Sequence, residues 1–257
     1  MRVIWALVVT AFRAQVRRRF DFAMGVVSDL LIQLASLTFV LILYRQYPNI
    51  GGWGQNELLF IFGFSQITTG LCTIFLVPLM MVGDYYMYQG HLDRVLLRPY
   101  PSIVGVLFEE AIFFDIGNLL LGCILLSFVG AALGVWTFTN IVLAMVLIIA
   151  SFVLVASLLV LGVALALVFH DRFQVLHLLV NSLQQFSFYP VTVFPPLIRA
   201  VVTYVIPVAL SSYYPAVVLL GRDSSAAWAT IALAPALLGL SLLMWNIGIS
   251  RYESTGN

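Results

Sequence analysis

Residues 116–169 read IGNLLLGCILLSFVGAALGVWTFTNIVLAMVLIIASFVLVASLLVLGVALALVF, and no charged side chain interrupts them. A single helix of that length would run roughly 80 Å, more than twice the bilayer's hydrocarbon core of about 30 Å. The stretch therefore holds parts of two crossings with a turn between them. Residues 130–140, containing Gly134, Trp136 and Thr137, supply the turn. The two crossings are expected over about residues 104–130 and 139–169. The first of them carries Glu109, Glu110 and Asp115 in its leading half.

Working outward, charge-poor runs of spanning length recur at about residues 22–44, 58–83, 173–189 and 226–249. Asp29 alone interrupts the first of these, and Pro190, Pro195 and Pro196 close the run that begins at residue 173. The 257 residues are 62% hydrophobic and 9% charged, whereas soluble domains carry about 25% charge. So much apolar surface needs lipid as its solvent. The expected fold class is an all-α polytopic membrane protein. Residues 200–221 are uncharged and long enough for a further crossing, but Pro207, Pro215 and the Ser211-Ser212-Tyr213-Tyr214 cluster suit a broken, re-entrant segment buried in protein, over about residues 190–222.

All twelve basic residues are arginine. A six-span layout with both termini cytoplasmic puts Arg2, Arg13, Arg17, Arg18, Arg19, Arg94, Arg98, Arg172 and Arg251 inside, against Arg45, Arg199 and Arg222 outside. A seven-span layout swaps Arg222 with Arg251 and gives the same ratio, so charge orients the N-terminus and leaves the span count open. The missing lysine also removes the phosphate-binding loop G-x-x-x-x-G-K-[ST]. If ATP drives this chain, another polypeptide binds the nucleotide. There is no basic stripe beyond the N-terminus to suggest nucleic acid, and Cys72 and Cys123, isolated in apolar runs, read as small hydrophobes.

Residues 2–20 are amphipathic at helical spacing: Ile4, Leu7, Val8, Ala11, Phe12, Gln15 and Val16 share a stripe, followed by Arg17, Arg18 and Arg19. That pattern predicts a helix lying in the membrane interface. Between the second and third spans, Gly90-His91-Leu92-Asp93-Arg94-Val95-Leu96-Leu97-Arg98-Pro99 reads as a short amphipathic helix with a glycine before it and a proline after it. Leu92, Val95 and Leu96 stand at i, i+3, i+4, and Arg94 and Arg98 share another face. It is either a docking element for another protein or an ordinary membrane-surface turn.

Polar residues inside spans must face protein or a cavity. His177, Asn181, Gln184 and Gln185 share one face of the fifth span, Asp115 and Asn118 form a stripe on the third, and Asp29 and Gln33 stand four apart on the first. Such stripes line a path or bond neighbouring helices. Tyr85, Tyr86 and Tyr88 on one side, and Trp53 and Trp136 on the other, are expected as interfacial anchors. Gly63-Phe64-Ser65-Gln66 superficially matches the serine loop of intramembrane proteases. However, His91, His170 and His177 all fall toward the opposite side, so no catalytic centre is expected. No metal-ligand spacing occurs either.

Two motifs carry a family resemblance. Gly90-x-Leu92-Asp93-x-x-Leu96-x-Arg98-Pro99 resembles the cytoplasmic loop of a branch of the type-2 ABC exporter permeases. So does the later run Tyr189-Pro190…Phe194-Pro195…Pro207…Tyr214-Pro215-Ala216, and the similarity of layout covers nearly the whole chain. The resemblance implies one permease domain over residues 1–257 with six spans in a bacterial plasma membrane. It implies pairing with a second permease, identical or a sister chain, and with cytosolic ATPase subunits that hold ATP and Mg. It also makes Gly90–Pro99 the coupling helix, and the first and fifth spans the permease–permease interface. An alternative reading is a secondary transporter driven by protons through Glu109, Glu110 or Asp115, although no paired half-repeats are visible.

Overall fold

The computed structural model describes residues 2–46, 51–82, 86, 89–108, 113, 116–169, 178, 182, 185–222 and 225–252. These are helical with intervening turns, and four helices are long and apolar enough to cross a membrane. They are α2 (Arg19–Gln46), α3 (Gln55–Met80), α7 (Phe138–Phe169) and α10 (Ser225–Ser250). The shorter helices are α1 (Arg2–Arg17), α4 (His91–Leu96), α5 (Ser102–Phe108), α6 (Gly117–Ala132), α8 (Pro196–Ala200) and α9 (Tyr213–Leu219).

The most deeply buried span is α3, where Phe60, Ile61, Phe62, Phe64, Ser65 and Gln66 are all enclosed. Small residues bring its backbone against α6. A Cβ added at Gly63 would lie 2.9 Å from that of Leu125, and one at Gly122 would lie 2.7 Å from the backbone nitrogen of Ile67. Close approach at small residues is how membrane helices gain van der Waals contact without a hydrophobic drive between them. The longest seam joins α7 to α10. By contrast α2 buries only Asp29, Gln33 and Val40 and turns Leu31, Ile32, Phe39 and Ile42 outward.

The third crossing is not one continuous helix, contrary to the expectation for residues 104–130. Phe113 and Ile116 lie outside helix, and α6 begins at Gly117. Its 16 residues extend roughly 24 Å, short of the hydrocarbon thickness. The turn expected near Gly134 is a Schellman closure. Gly134 takes φ +66°, and the Val135 N–H returns to the Gly130 carbonyl at 2.9 Å.

The apolar stripe of α1 turns partly toward the chain itself. Ala11 is buried, the Phe12 ring meets Phe22 and Phe113 edge-on, and the Gln15 side chain accepts the Phe113 N–H at 2.8 Å. Two expected interfacial anchors are core residues instead. Trp53 and Tyr86 are buried, because each finds partners from distant segments.

Candidate functional site

At one end of the bundle, Gly90 adopts a left-handed φ of +73° and starts α4. Leu92 and Val95 are fully enclosed and join the same core cluster as Tyr86, Val106 and Trp245. Two of the three residues of the expected docking stripe therefore anchor α4 to its own bundle. What α4 presents outward is a ridge of Arg94, Leu96, Leu97, Arg98 and Pro99, with Leu97 87% exposed. His91 and Asp93 are half-buried on its flank.

The segment carrying the ridge meets the last span at two points, one of them through a hydrogen bond. The Trp245 Nε1–H donates to Ser102 Oγ at 3.0 Å, at the start of α5. Tyr252, just past α10, buries its hydroxyl, and burial pushes the phenol's pKa up, reinforced by the neighbouring Asp93 carboxylate. The hydroxyl faces that carboxylate without reaching hydrogen-bond geometry. A rigid surface element with a mechanical link to a long helix can pass displacement inward.

The second constellation lies at membrane depth. Asp29 is ten positions after Arg19, roughly 15 Å along α2. Its Oδ2 accepts the Gly117 backbone N–H at 2.6 Å, and its Oδ1 accepts Gln33 Nε2 at 3.0 Å. Gln33 Oε1 in turn accepts Gln66 Nε2 at 2.9 Å. All three side chains are buried, as is Asn118, one residue into α6. The carboxylate thus satisfies an orphan donor at the positive end of a helix that starts inside the membrane. At the far end of the relay, Gln66 Oε1 has no hydrogen-bond partner among the described residues.

Hydroxyls on α3 and α10 hold the segment before the last span, which is broken into short turns. Ser65 and Ser187 pair at 3.1 Å, Ser212 donates to the Ser187 carbonyl at 2.7 Å, and Thr230 donates to the Leu210 carbonyl at 2.8 Å. Irregular backbone at depth survives because protein, not lipid, surrounds it. Near the other end of α3, Arg222 pairs with Glu57 at 2.6 Å and stacks 4.0 Å from the Trp53 ring centroid. The Trp53 indole N–H donates to Thr192 Oγ1 at 3.0 Å.

Glu109, Glu110, Asp115, His177, Asn181 and Gln184 lie outside the described residues. Gln185 opens a 3₁₀ turn over Gln185–Phe188 and is exposed. Reading by sequence missed Gln66 as a relay member. The available signal was the polar quartet Ser65, Gln66, Thr68 and Thr69 inside an uncharged span.

A family model described as ABC-2 family transporter protein matches residues 30–256. No curated protein and no solved structure matches this chain.

Proposed function

Because the chain belongs to the ABC-2 transporter family, we propose that this multi-pass membrane component of an ABC transporter is the permease half of an exporter driven by a separate ATPase polypeptide. The observation that carries the reading is the exposed ridge of Arg94, Leu97 and Arg98 on a helix whose Leu92 and Val95 are locked into the bundle. A lever needs an exposed face for its driver and a fixed root in what it moves; α4 has both. The absence of lysine supports placing ATP and Mg on the partner, since phosphate-loop chemistry needs that side chain.

In this reading α4 and the N-terminus face the cytoplasm of a bacterial plasma membrane, an orientation that arginine placement supports, while the count of six spans, which brings the C-terminus to the same side, rests on the family resemblance. The permease acts beside a second permease, identical or a sister chain. ATP-driven closure of the ATPase pair presses α4, and α10 shifts through the Trp245–Ser102 and Tyr252–Asp93 contacts.

The test is co-purification with the cognate ATPase from the native membrane. Leu97→Asp and Arg98→Glu alter the exposed ridge and leave the core untouched. The ATPase should be lost from the purified assembly, with the permease yield unchanged. Retention of a fully active ATPase by both variants would remove α4 as the docking element.

A further inference from the structure

Although a tight turn joins them and both touch α3, α6 and α7 otherwise take different partners. α6 packs on α3 and α2, whereas α7 packs on α10 and α3. Between them opens a cleft of about 390 Å³. Ile67 of α3 contributes from the buried side, Cys123 and Leu126 line the α6 wall, Ala144 and Met145 line the α7 wall, and Trp136 stands at the turn. No charged side chain lines it.

The cleft faces the bilayer. Met145 is 61% exposed, and the neighbouring outward residues Ile124, Phe128 and Ile149 are exposed as well. Measured along α6 from the turn to Cys123, it runs roughly 14 Å, about half the hydrocarbon core. That is the depth of one leaflet. The turn end is fixed: the Trp136 indole N–H donates to the Ser127 carbonyl at 3.3 Å, and a Cβ at Gly130 would meet that ring at 2.5 Å. An indole at this level belongs among lipid headgroups.

We infer that the cleft between α6 and α7 is a binding site for one acyl chain of a membrane phospholipid in the leaflet on the Trp136 side. A laterally open, uncharged, leaflet-deep slot selects a flexible apolar chain. Its walls contact that chain on three sides, which open helix surface cannot do. The headgroup then sits beside Trp136, Thr137 and Asn140.

The experiment uses the full chain in vesicles of phosphatidylcholine and phosphatidylglycerol carrying a trace phospholipid with a photoactivatable group at the end of one acyl chain. Adducts are mapped by mass spectrometry. They should concentrate on Cys123 and on residues 145–148, at the deep end of the slot, about tenfold over the open lipid-facing residues Phe39, Leu243 and Ile247, a preference of about 1.4 kcal/mol. Met145→Trp, at an exposed position, should erase that enrichment without affecting folding. Adducts distributed in proportion to exposure, enrichment that survives Met145→Trp, or efficient Cys123–Cys123 cross-linking between chains would each overturn the assignment.

Discussion

The Asp29 carboxylate holds the Gly117 backbone N–H at 2.6 Å, and a Cβ on Gly117 would fall 2.6 Å from the same oxygen. The contact joins residues 88 positions apart and sets where α6 begins. A helix that starts at membrane depth leaves donors that water cannot reach, so a buried carboxylate is the natural cap.

Removing that cap should destabilise the fold through the orphaned donor more than through lost packing. Asp29→Ala is expected to cost about 1.5–3 kcal/mol, the range for hydrogen bonds to charged groups. Asp29→Asn, which keeps an acceptor oxygen, should cost roughly half as much. Gly117→Ala forces the two groups apart and should resemble Asp29→Ala. Because both changes break one contact, the double variant should be no worse than either alone. Denaturant unfolding in detergent micelles measures all four, and strict additivity would show that the cap is energetically idle.

The relay predicts an asymmetry between its two glutamines. Gln33 sits in the middle, so Gln33→Leu orphans both Asp29 Oδ1 and Gln66 Nε2. Gln66 sits at the end with one amide oxygen already unsatisfied. Gln66→Leu therefore orphans Gln33 Oε1 but removes an existing orphan, and the two effects largely cancel. Gln33→Leu should be the more destabilising by about 1–3 kcal/mol in the same unfolding assay. Equal losses would mean the relay does not order these side chains.

Much of this architecture is legible in the sequence because bilayer thickness is a severe constraint. Apolar runs of the right length mark α2, α3, α7 and α10, and Gly134 marks the turn between α6 and α7. The start of α6 is hidden, since hydropathy reports which solvent a residue prefers and says nothing of where the backbone leaves the helix. Trp53 shows the same limit from another side. A tryptophan flanking a span suits an interfacial anchor, yet Thr192, 139 residues away, and Arg222 draw it into the core. For α4, periodicity groups Leu92, Val95 and Leu96 together and cannot tell whether the apolar face meets another protein or its own bundle.

The Trp53–Arg222–Glu57 cluster should be dominated by its aromatic member. Trp53 is 3% exposed, and truncating a buried tryptophan typically costs about 3–5 kcal/mol. The Arg222 and Glu57 side chains are 41% and 24% exposed, so their ion pair is worth about 0–1 kcal/mol. Arg222→Ala also loses its stacking on the indole, which adds about 0.5–2 kcal/mol. The expected order of destabilisation is Trp53→Ala, then Arg222→Ala, then Glu57→Gln, which can still accept the Gly54 N–H that Glu57 now holds at 2.9 Å. Thermal unfolding at low and high salt checks both order and origin. Only the Arg222–Glu57 contribution should shrink with salt.

Ser102 and Trp245 test whether α4 and the last span move as one body. Trp245 is enclosed at 1% exposure, and its only ring donor is committed to Ser102 Oγ at 3.0 Å. Trp245→Phe keeps most of the ring volume and removes the donor, leaving the Ser102 hydroxyl to find another partner. The stability loss should be about 1–2 kcal/mol. The informative readout is local. Backbone amides of α4 and α5 should exchange with solvent faster, while those of α6, which packs on α3 and α2, stay protected. Ser102→Ala should reproduce the pattern from the other side, and the double variant should add little. If Trp245→Phe leaves α4 exchange unchanged, the indole is only a filler of core volume, and displacement of α4 must reach the bundle through Leu92, Val95 and the Tyr252–Asp93 contact.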